Sequence, residues 1–176
     1  NLGAHVIDQA VQLFGMPQAI FADIATLRDN GVVDDYFIIH LLKPSKAPDV
    51  RITLKASYLM CEREPRFILH GTEGSFVKYG LDRQEEDLTS GLMPDSPHWG
   101  EEDSSIWGLL HTEKNTINVR ERYPSLPGNY GAFYENIYQH IRNGIILESD
   151  AREVVDVIRL IEAAWESSRT KSVQNL

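Results

Sequence analysis

The chain has 176 residues, 42% hydrophobic and 24% charged, which is typical of one folded domain and excludes a disordered tail or a fibrous repeat. Its 26 acidic and 17 basic residues give a formal net charge of −9, which argues against a nucleic-acid partner. No apolar run approaches the roughly 18 residues of a membrane span, and the single cysteine, Cys61, favours the cytoplasm over an oxidising compartment.

The first predicted element is a helix, because apolar residues near the start recur at spacings of three and four. These residues are Val6, Ile7, Ala10, Val11, Leu13 and Phe14. Gly15 is placed to end the helix in the left-handed conformation, and Pro17 prevents its continuation. Because the chain starts at this helix without an initiator Met, we expect it to be a piece of a longer protein.

A run of short strands follows, joined by turn signals such as Asn30-Gly31. The predicted strands cover residues 18–27, 36–42, 50–60, 66–70 and 75–79. Within 50–60, apolar side chains alternate with a polar face made of Arg51, Thr53, Lys55 and Ser57. His40 lies in the apolar second strand and is most simply a hydrogen-bonded core histidine.

Residues 81–114 lose this regularity and form a long loop of the kind that often carries function, with one or two further strands within 105–119. A helix then begins after the capping residue Asn129 and closes at Asn143-Gly144. Its aromatic pair, Tyr130 and Tyr134, is predicted to lie in the core.

The last helix opens at Ser149-Asp150, and residues 171–176 form a short edge strand. The core face predicted for this helix is Val154, Val157, Ile158, Ile161 and Trp165. Hairpin connections require antiparallel pairing, so we expect an α+β fold: an open, mainly antiparallel sheet with helices packed on one face.

Few residues suggest chemistry. The sequence has neither a G-x-G-x-x-G nor a Walker-type phosphate loop, and one cysteine cannot build a multi-thiolate zinc site, so no metal site is predicted. A polar seam of Asn1, His5, Asp8 and Gln9 follows one side of the first helix. A histidine oriented there by a carboxylate exchanges protons near neutral pH, whereas most such pairs are merely solvated surface pairs.

The segment 1–15 resembles the D-x-G-x-H-x-x-D-x-x-x-x-L-x-G pattern of the Gfo/Idh/MocA oxidoreductases, a family that includes glucose–fructose oxidoreductase and inositol dehydrogenase. Residues 69–76 resemble the family's G-T-x-G strand turn, 128–134 its penultimate helix, and 149–164 its final helix. The resemblance covers essentially the whole chain, and the helix with H-x-x-D is its most specific part.

This resemblance implies that residues 1–176 are a single C-terminal domain for substrate binding and oligomerisation. The N-terminal Rossmann domain, which would bind NAD or NADP, is absent from the chain, so no cofactor-binding residue is expected in it. The complete protein would be an NAD(P)-dependent oxidoreductase for a sugar, a polyol or a related substrate, and this fragment alone would be inactive. The expected partners are its own Rossmann domain and further copies, in a dimer or tetramer formed through the polar sheet face.

By the same resemblance, His5 is the proton donor or acceptor for the reacting oxygen. Asn1 occupies a catalytic position where the family has Asp, and an amide there can hydrogen-bond but cannot stabilise imidazolium by charge. Asp8, Trp99 and Tyr130 are candidates for binding the substrate. The alternative is a non-catalytic binding or assembly domain that has lost the acidic partner of the histidine, and a weaker one is a stand-alone acidic interaction domain.

Overall fold

The computed structural model describes residues 2–114, 117–148 and 151–176, and the chain divides into two compact units. The first unit comprises residues 1–61 and 149–176, and the second comprises 62–148. The first contains α1 (Leu2–Phe14), β1 (Ala19–Ala25), β2 (Tyr36–Leu42), β3 (Ile52–Ser57), α4 (Ala151–Thr170) and β8 (Gln174–Asn175). The second contains β4 (Phe67–Gly71), β5 (Gly74–Lys78), α2 (Gln84–Thr89), β6 (Gly108–Lys114), β7 (Ile117–Tyr123) and α3 (Tyr130–Asn143).

The sheet of the first unit has the order β3-β2-β1-β8, with antiparallel pairing throughout. Alternation along β2 turns Phe37, Ile39 and Leu41 toward the helices, where they are buried with Ile7 of α1 and Leu160 of α4. Both helices therefore cover one face of this sheet, and the α+β class predicted from the sequence is confirmed. The tail forms the predicted edge strand, because β8 pairs with the start of β1.

The core face predicted for α4 is partly wrong. Val157 is buried as expected, but Leu160 and Ala164 complete the buried row, whereas Ile158 and Trp165 are 48% and 57% exposed. The buried face of α4 is thus rotated about the helix axis from the predicted face. Two serine hydroxyls near the end of α4 explain this rotation. Ser167 Oγ accepts the Ala22 N–H, and Ser168 Oγ accepts the Ile24 N–H, both at 2.9 Å along β1. These bonds fix the side of α4 that meets the sheet.

The second unit contains a separate antiparallel sheet with the order β4-β5-β6-β7. Its first hairpin turns at Gly71–Gly74, as the sequence predicts, and the next connection is the long segment between β5 and β6. This segment contains α2 and a 3₁₀ turn at Ser104–Ile106. Lys78 Nζ donates to Glu102 Oε1 at 2.9 Å in a largely buried pair, which fastens the segment to β5.

The predicted caps of α3 are confirmed, but the predicted burial of its aromatic pair is wrong. Asn129 Oδ1 accepts the Ala132 N–H at 3.1 Å, and Gly144 ends the helix at a φ of 69°. No residue of α3 is buried, and Tyr134 is 70% exposed. A helical apolar period shows that a face is suited to packing, but it does not show that this chain supplies the surface that covers it.

Candidate functional site

The exposed side of α1 carries the histidine singled out by the sequence. Ile7 and Ala10 turn inward and are buried, whereas His5 and Asp8 are exposed. Residues three apart project from the same side of a helix, so His5 and Asp8 share the exposed side of α1. Asn1, predicted to complete the seam, lies outside the described residues. An accessible imidazole meets the first requirement of a group that exchanges a proton with a substrate.

A cavity of about 250 Å³ lies on the opposite, core-facing side of α1. Gly3, Ala4 and Ile7 contribute to its wall, and His5 does not. Its lining also includes Asp34, Tyr58 and Trp165. The cavity therefore faces away from the imidazole, and it is not the place where His5 would meet a substrate.

Two other residues predicted to bind substrate, Trp99 and Tyr130, are brought together in the second unit by Gln84. Gln84 is only 2% exposed, and its Oε1 accepts both the Trp99 Nε1–H at 3.1 Å and the Tyr130 backbone N–H at 2.6 Å. Its Nε2 donates to Asp82 Oδ2 at 3.0 Å. The side-chain amide thus connects α2, the Trp99 loop and the first turn of α3.

Trp99 and Tyr130 differ in what they can offer a ligand. Trp99 is 9% exposed and its indole N–H is already bonded to Gln84, so its role here is to support the loop. Tyr130 is 41% exposed. Partial burial, followed by the nearby carboxylates of Asp82 and Glu85, raises the pKa of the Tyr130 hydroxyl, which keeps the phenol protonated and able to donate a hydrogen bond.

Sequence reasoning missed Gln84 because it begins an acidic stretch that is typical of a solvated loop. A weak signal was present in two glycines. A Cβ at Gly128 would collide with the Gln84 side-chain amide, and one at Gly100 would lie 2.8 Å from the Gly128 carbonyl oxygen. Gly100 is also held directly, because its N–H donates to the buried Asp87 Oδ2 at 3.0 Å. Glycines at such positions indicate close backbone approach.

The polar face of the first sheet is the second surface singled out by the sequence. Thr53 and Lys55 of β3 are exposed as predicted, while Ile52 on the other face is buried. His40 belongs to this open face and not to the core: its Nδ1 is 3.0 Å from Thr53 Oγ1, and its ring stacks on Phe21 at a centroid distance of 6.3 Å. The interpretation of His40 as a core histidine is wrong because the β2 alternation buries its neighbours instead.

Neither a metal cluster nor a membrane span is found in the part of the chain that the structure describes. Among those residues, no three His, Cys, Asp or Glu side chains form a group able to hold a metal ion. None of the described helices is both long and apolar enough to cross a bilayer. Cys61 is exposed.

Comparison with known proteins decides the family. The family profile described as "Oxidoreductase family, C-terminal alpha/beta domain", that of Gfo/Idh/MocA, matches residues 1–176. The chain belongs to this oxidoreductase family. The resemblance drawn from the helix with H-x-x-D is therefore confirmed.

Individual members of the family are similar along the whole chain. The curated scyllo-inositol 2-dehydrogenase (NADP(+)) IolW of Bacillus subtilis is 37% identical over 97% of this chain and 47% of its own length. A crystal structure of an oxidoreductase from Bacteroides fragilis is 60% identical, with a TM-score of 0.94 over 100% of this chain and 52% of that one. The structure of oxidoreductase YvaA of Bacillus subtilis is 37% identical, with a TM-score of 0.92 over the same shares. The chain spans about half the length of these relatives.

Proposed function

We propose that this chain is the C-terminal, substrate-binding and oligomerising domain of an NAD(P)-dependent oxidoreductase that acts on a sugar, a polyol or a related hydroxyl or carbonyl substrate. The observation that carries the proposal is the exposed His5 on the first helix of a domain matched along its whole length by this family. The 37% identity to a scyllo-inositol 2-dehydrogenase supports a polyol as the substrate. We place the protein in the cytoplasm.

The role proposed for His5 is to take the proton from the reacting hydroxyl, or to return it to the carbonyl oxygen. Hydride loss from an alcohol carbon becomes easier as the O–H proton departs, and an accessible imidazole is a suitable acceptor. A bound NAD or NADP would supply the hydride chemistry. The 176 residues contain no glycine fingerprint for its phosphates, so we assign the dinucleotide to an N-terminal Rossmann domain and expect this fragment alone to be inactive.

The remaining site residues have supporting roles in this proposal. Asn1 would contact the reacting groups through its amide, and Asp8 would orient the imidazole or a substrate hydroxyl. Tyr130 would donate a hydrogen bond from its protonated phenol, with Trp99 fixing the loop beside it. A polyol suits a hydrogen bond from the Tyr130 phenol, because hydroxyl groups both donate and accept hydrogen bonds.

The open sheet face would join copies of the protein in a dimer or tetramer. Phe21, His40 and Thr53 form a continuous exposed patch across three strands, with Lys55 beside it. The patch mixes an aromatic surface with polar groups, as protein interfaces do. Sedimentation across a concentration series tests this: we expect Phe21→Glu to shift the protein toward monomer, and a species that stays unchanged in size would refute the interface.

The alternative function is a non-catalytic binding or assembly domain, favoured by an amide at position 1 where the family has a carboxylate. A direct test separates the two. The complete protein is incubated with NAD⁺ or NADP⁺ and a panel of polyols and sugars, and the nicotinamide absorbance is followed. We expect turnover on at least one substrate and its loss in His5→Ala. No turnover on any substrate, or full turnover by His5→Ala, would contradict the proposal.

A further inference from the structure

Gln84, the first residue of α2, is buried, although glutamine side chains in proteins are mostly exposed. The side chain is 2% exposed, and its two polar atoms are paired with three partners on separate segments: Asp82, Trp99 and the backbone of Tyr130. A buried amide with all these bonds made is stable, whereas removal of its acceptor leaves two buried or half-buried donors without partners. Gln84 therefore holds these segments together, and a residue without both a donor and an acceptor cannot replace it.

The bond to Tyr130 is also a helix cap. The first amides of a helix have no partner within it, and here two side chains from different segments satisfy two of them. Asn129 takes the N–H of Ala132, and Gln84 takes the N–H of Tyr130, the first residue of α3. Gln84 thus determines where the Tyr130 backbone sits and, with it, the direction in which the half-exposed phenol points.

We infer that Gln84 is a positioning residue that holds Tyr130 and the Trp99 loop in one rigid arrangement, so that the Tyr130 hydroxyl meets the substrate. The inference rests on the proposed function, in which Tyr130 binds the substrate. It goes further by naming a buried residue that never touches the substrate and yet controls its affinity.

The experiment uses three single variants of the complete enzyme and, in addition, a Tyr130→Phe background. Gln84→Met keeps the side-chain volume and removes both donor and acceptor. Gln84→Glu keeps the acceptor oxygens and loses the donor to Asp82. Gln139→Met makes the same chemical change on α3, where the side-chain amide of Gln139 bonds Glu135 and Asn143 of the same helix, and serves as the matched control.

Two readouts are measured: hydrogen exchange at the Tyr130 amide, and KM and kcat for the polyol substrate. In Gln84→Met we expect exchange at this amide to accelerate about tenfold and KM to rise about five- to tenfold, with kcat within about twofold. Gln84→Glu, whose new carboxylate faces that of Asp82 in a buried position, also accelerates exchange and raises KM. Gln139→Met changes neither readout. In a Tyr130→Phe background, Gln84→Met adds little further to KM.

Several results would overturn the inference. These are an unchanged Tyr130 exchange rate in Gln84→Met, accelerated exchange with an unchanged KM, an unchanged exchange rate and KM in Gln84→Glu, or a fully additive rise in the Tyr130→Phe background. Failure of the proposed function is distinguishable, because it shows as absent turnover in the unsubstituted enzyme, whereas failure of this inference shows only in the variants.

Discussion

Replacement of Ser167 by Ala tests how α4 is fixed to its sheet. Ser167 is fully buried, accepts the N–H of Ala22 and donates to the Ser172 carbonyl oxygen at 2.7 Å. In Ser167→Ala, the N–H of the fully buried Ala22 has no acceptor, which costs about 1–3 kcal/mol. The Ser172 carbonyl belongs to an exposed residue and can turn to water, so it adds little. We therefore expect a loss of about 2 kcal/mol in the free energy of unfolding.

Urea unfolding followed by circular dichroism measures this loss. With a slope of about 2 kcal/mol per molar urea, the midpoint falls by roughly 1 M. Ser90→Ala is the matched control, because its hydroxyl donates to the Asp87 carbonyl at an exposed helix end, and it should change stability by less than about 0.5 kcal/mol. If Ser167→Ala is no more destabilising than Ser90→Ala, the serine contacts do not fix α4 and this explanation of its rotation fails.

Three further predictions concern the buried face of α4, the pH dependence of stability and the C-terminal cap of α3. Leu160→Ala removes a fully buried side chain and should lower the free energy of unfolding by about 2–5 kcal/mol. Ile158→Ala, on the exposed side of α4, should lower it by under about 1 kcal/mol. Equal losses in urea titrations would contradict the assignment of Leu160 to the buried face of α4. The backbone N–H of Leu27, and then Arg28, lower the pKa of Asp35 below its ordinary 3.8, so its stabilising effect is present at neutral pH and lost as pH falls through the lowered value. Asp35→Asn should therefore flatten the acid dependence of the urea midpoint, and an unchanged dependence would refute this. Gly144→Ala forces a side chain into a left-handed backbone and should lower the free energy of unfolding by about 1 kcal/mol. Gly144→Asn should lower it less in thermal unfolding, because Asn adopts this conformation more readily. Equal losses would contradict a left-handed cap at the end of α3.

Features set by local sequence were predictable. The strand at 36–42 agrees with β2 at both ends, because it is a short, continuous run of apolar, β-forming residues followed by a polar loop. The ends of α3 follow from Asn129 and Gly144, each of which acts within its own turn. The exposed position of His5 follows in the same way from the apolar period of α1.

Features set by distant contacts were not predictable. The rotation of α4 depends on the hydrogen bonds of Ser167 and Ser168 to β1, more than 140 residues away in sequence. The spacing of apolar residues in a helix carries no information about such hydroxyl contacts. The division of the strands between two sheets depends equally on which strands pair. Gln84 went unnoticed because nothing local distinguishes it from the acidic residues that follow it. Its importance comes entirely from Trp99 and Tyr130.

The central claim is that His5 moves the proton that accompanies hydride transfer, and the rate of that step tests it most directly. Stopped-flow measurement of nicotinamide absorbance in the complete enzyme compares His5→Asn with His70→Asn, a matched change at an exposed histidine beside Ser75. We predict that hydride transfer slows about 100- to 10,000-fold in His5→Asn and stays within about twofold in His70→Asn. A His5→Asn enzyme that transfers hydride at the unsubstituted rate would contradict the account.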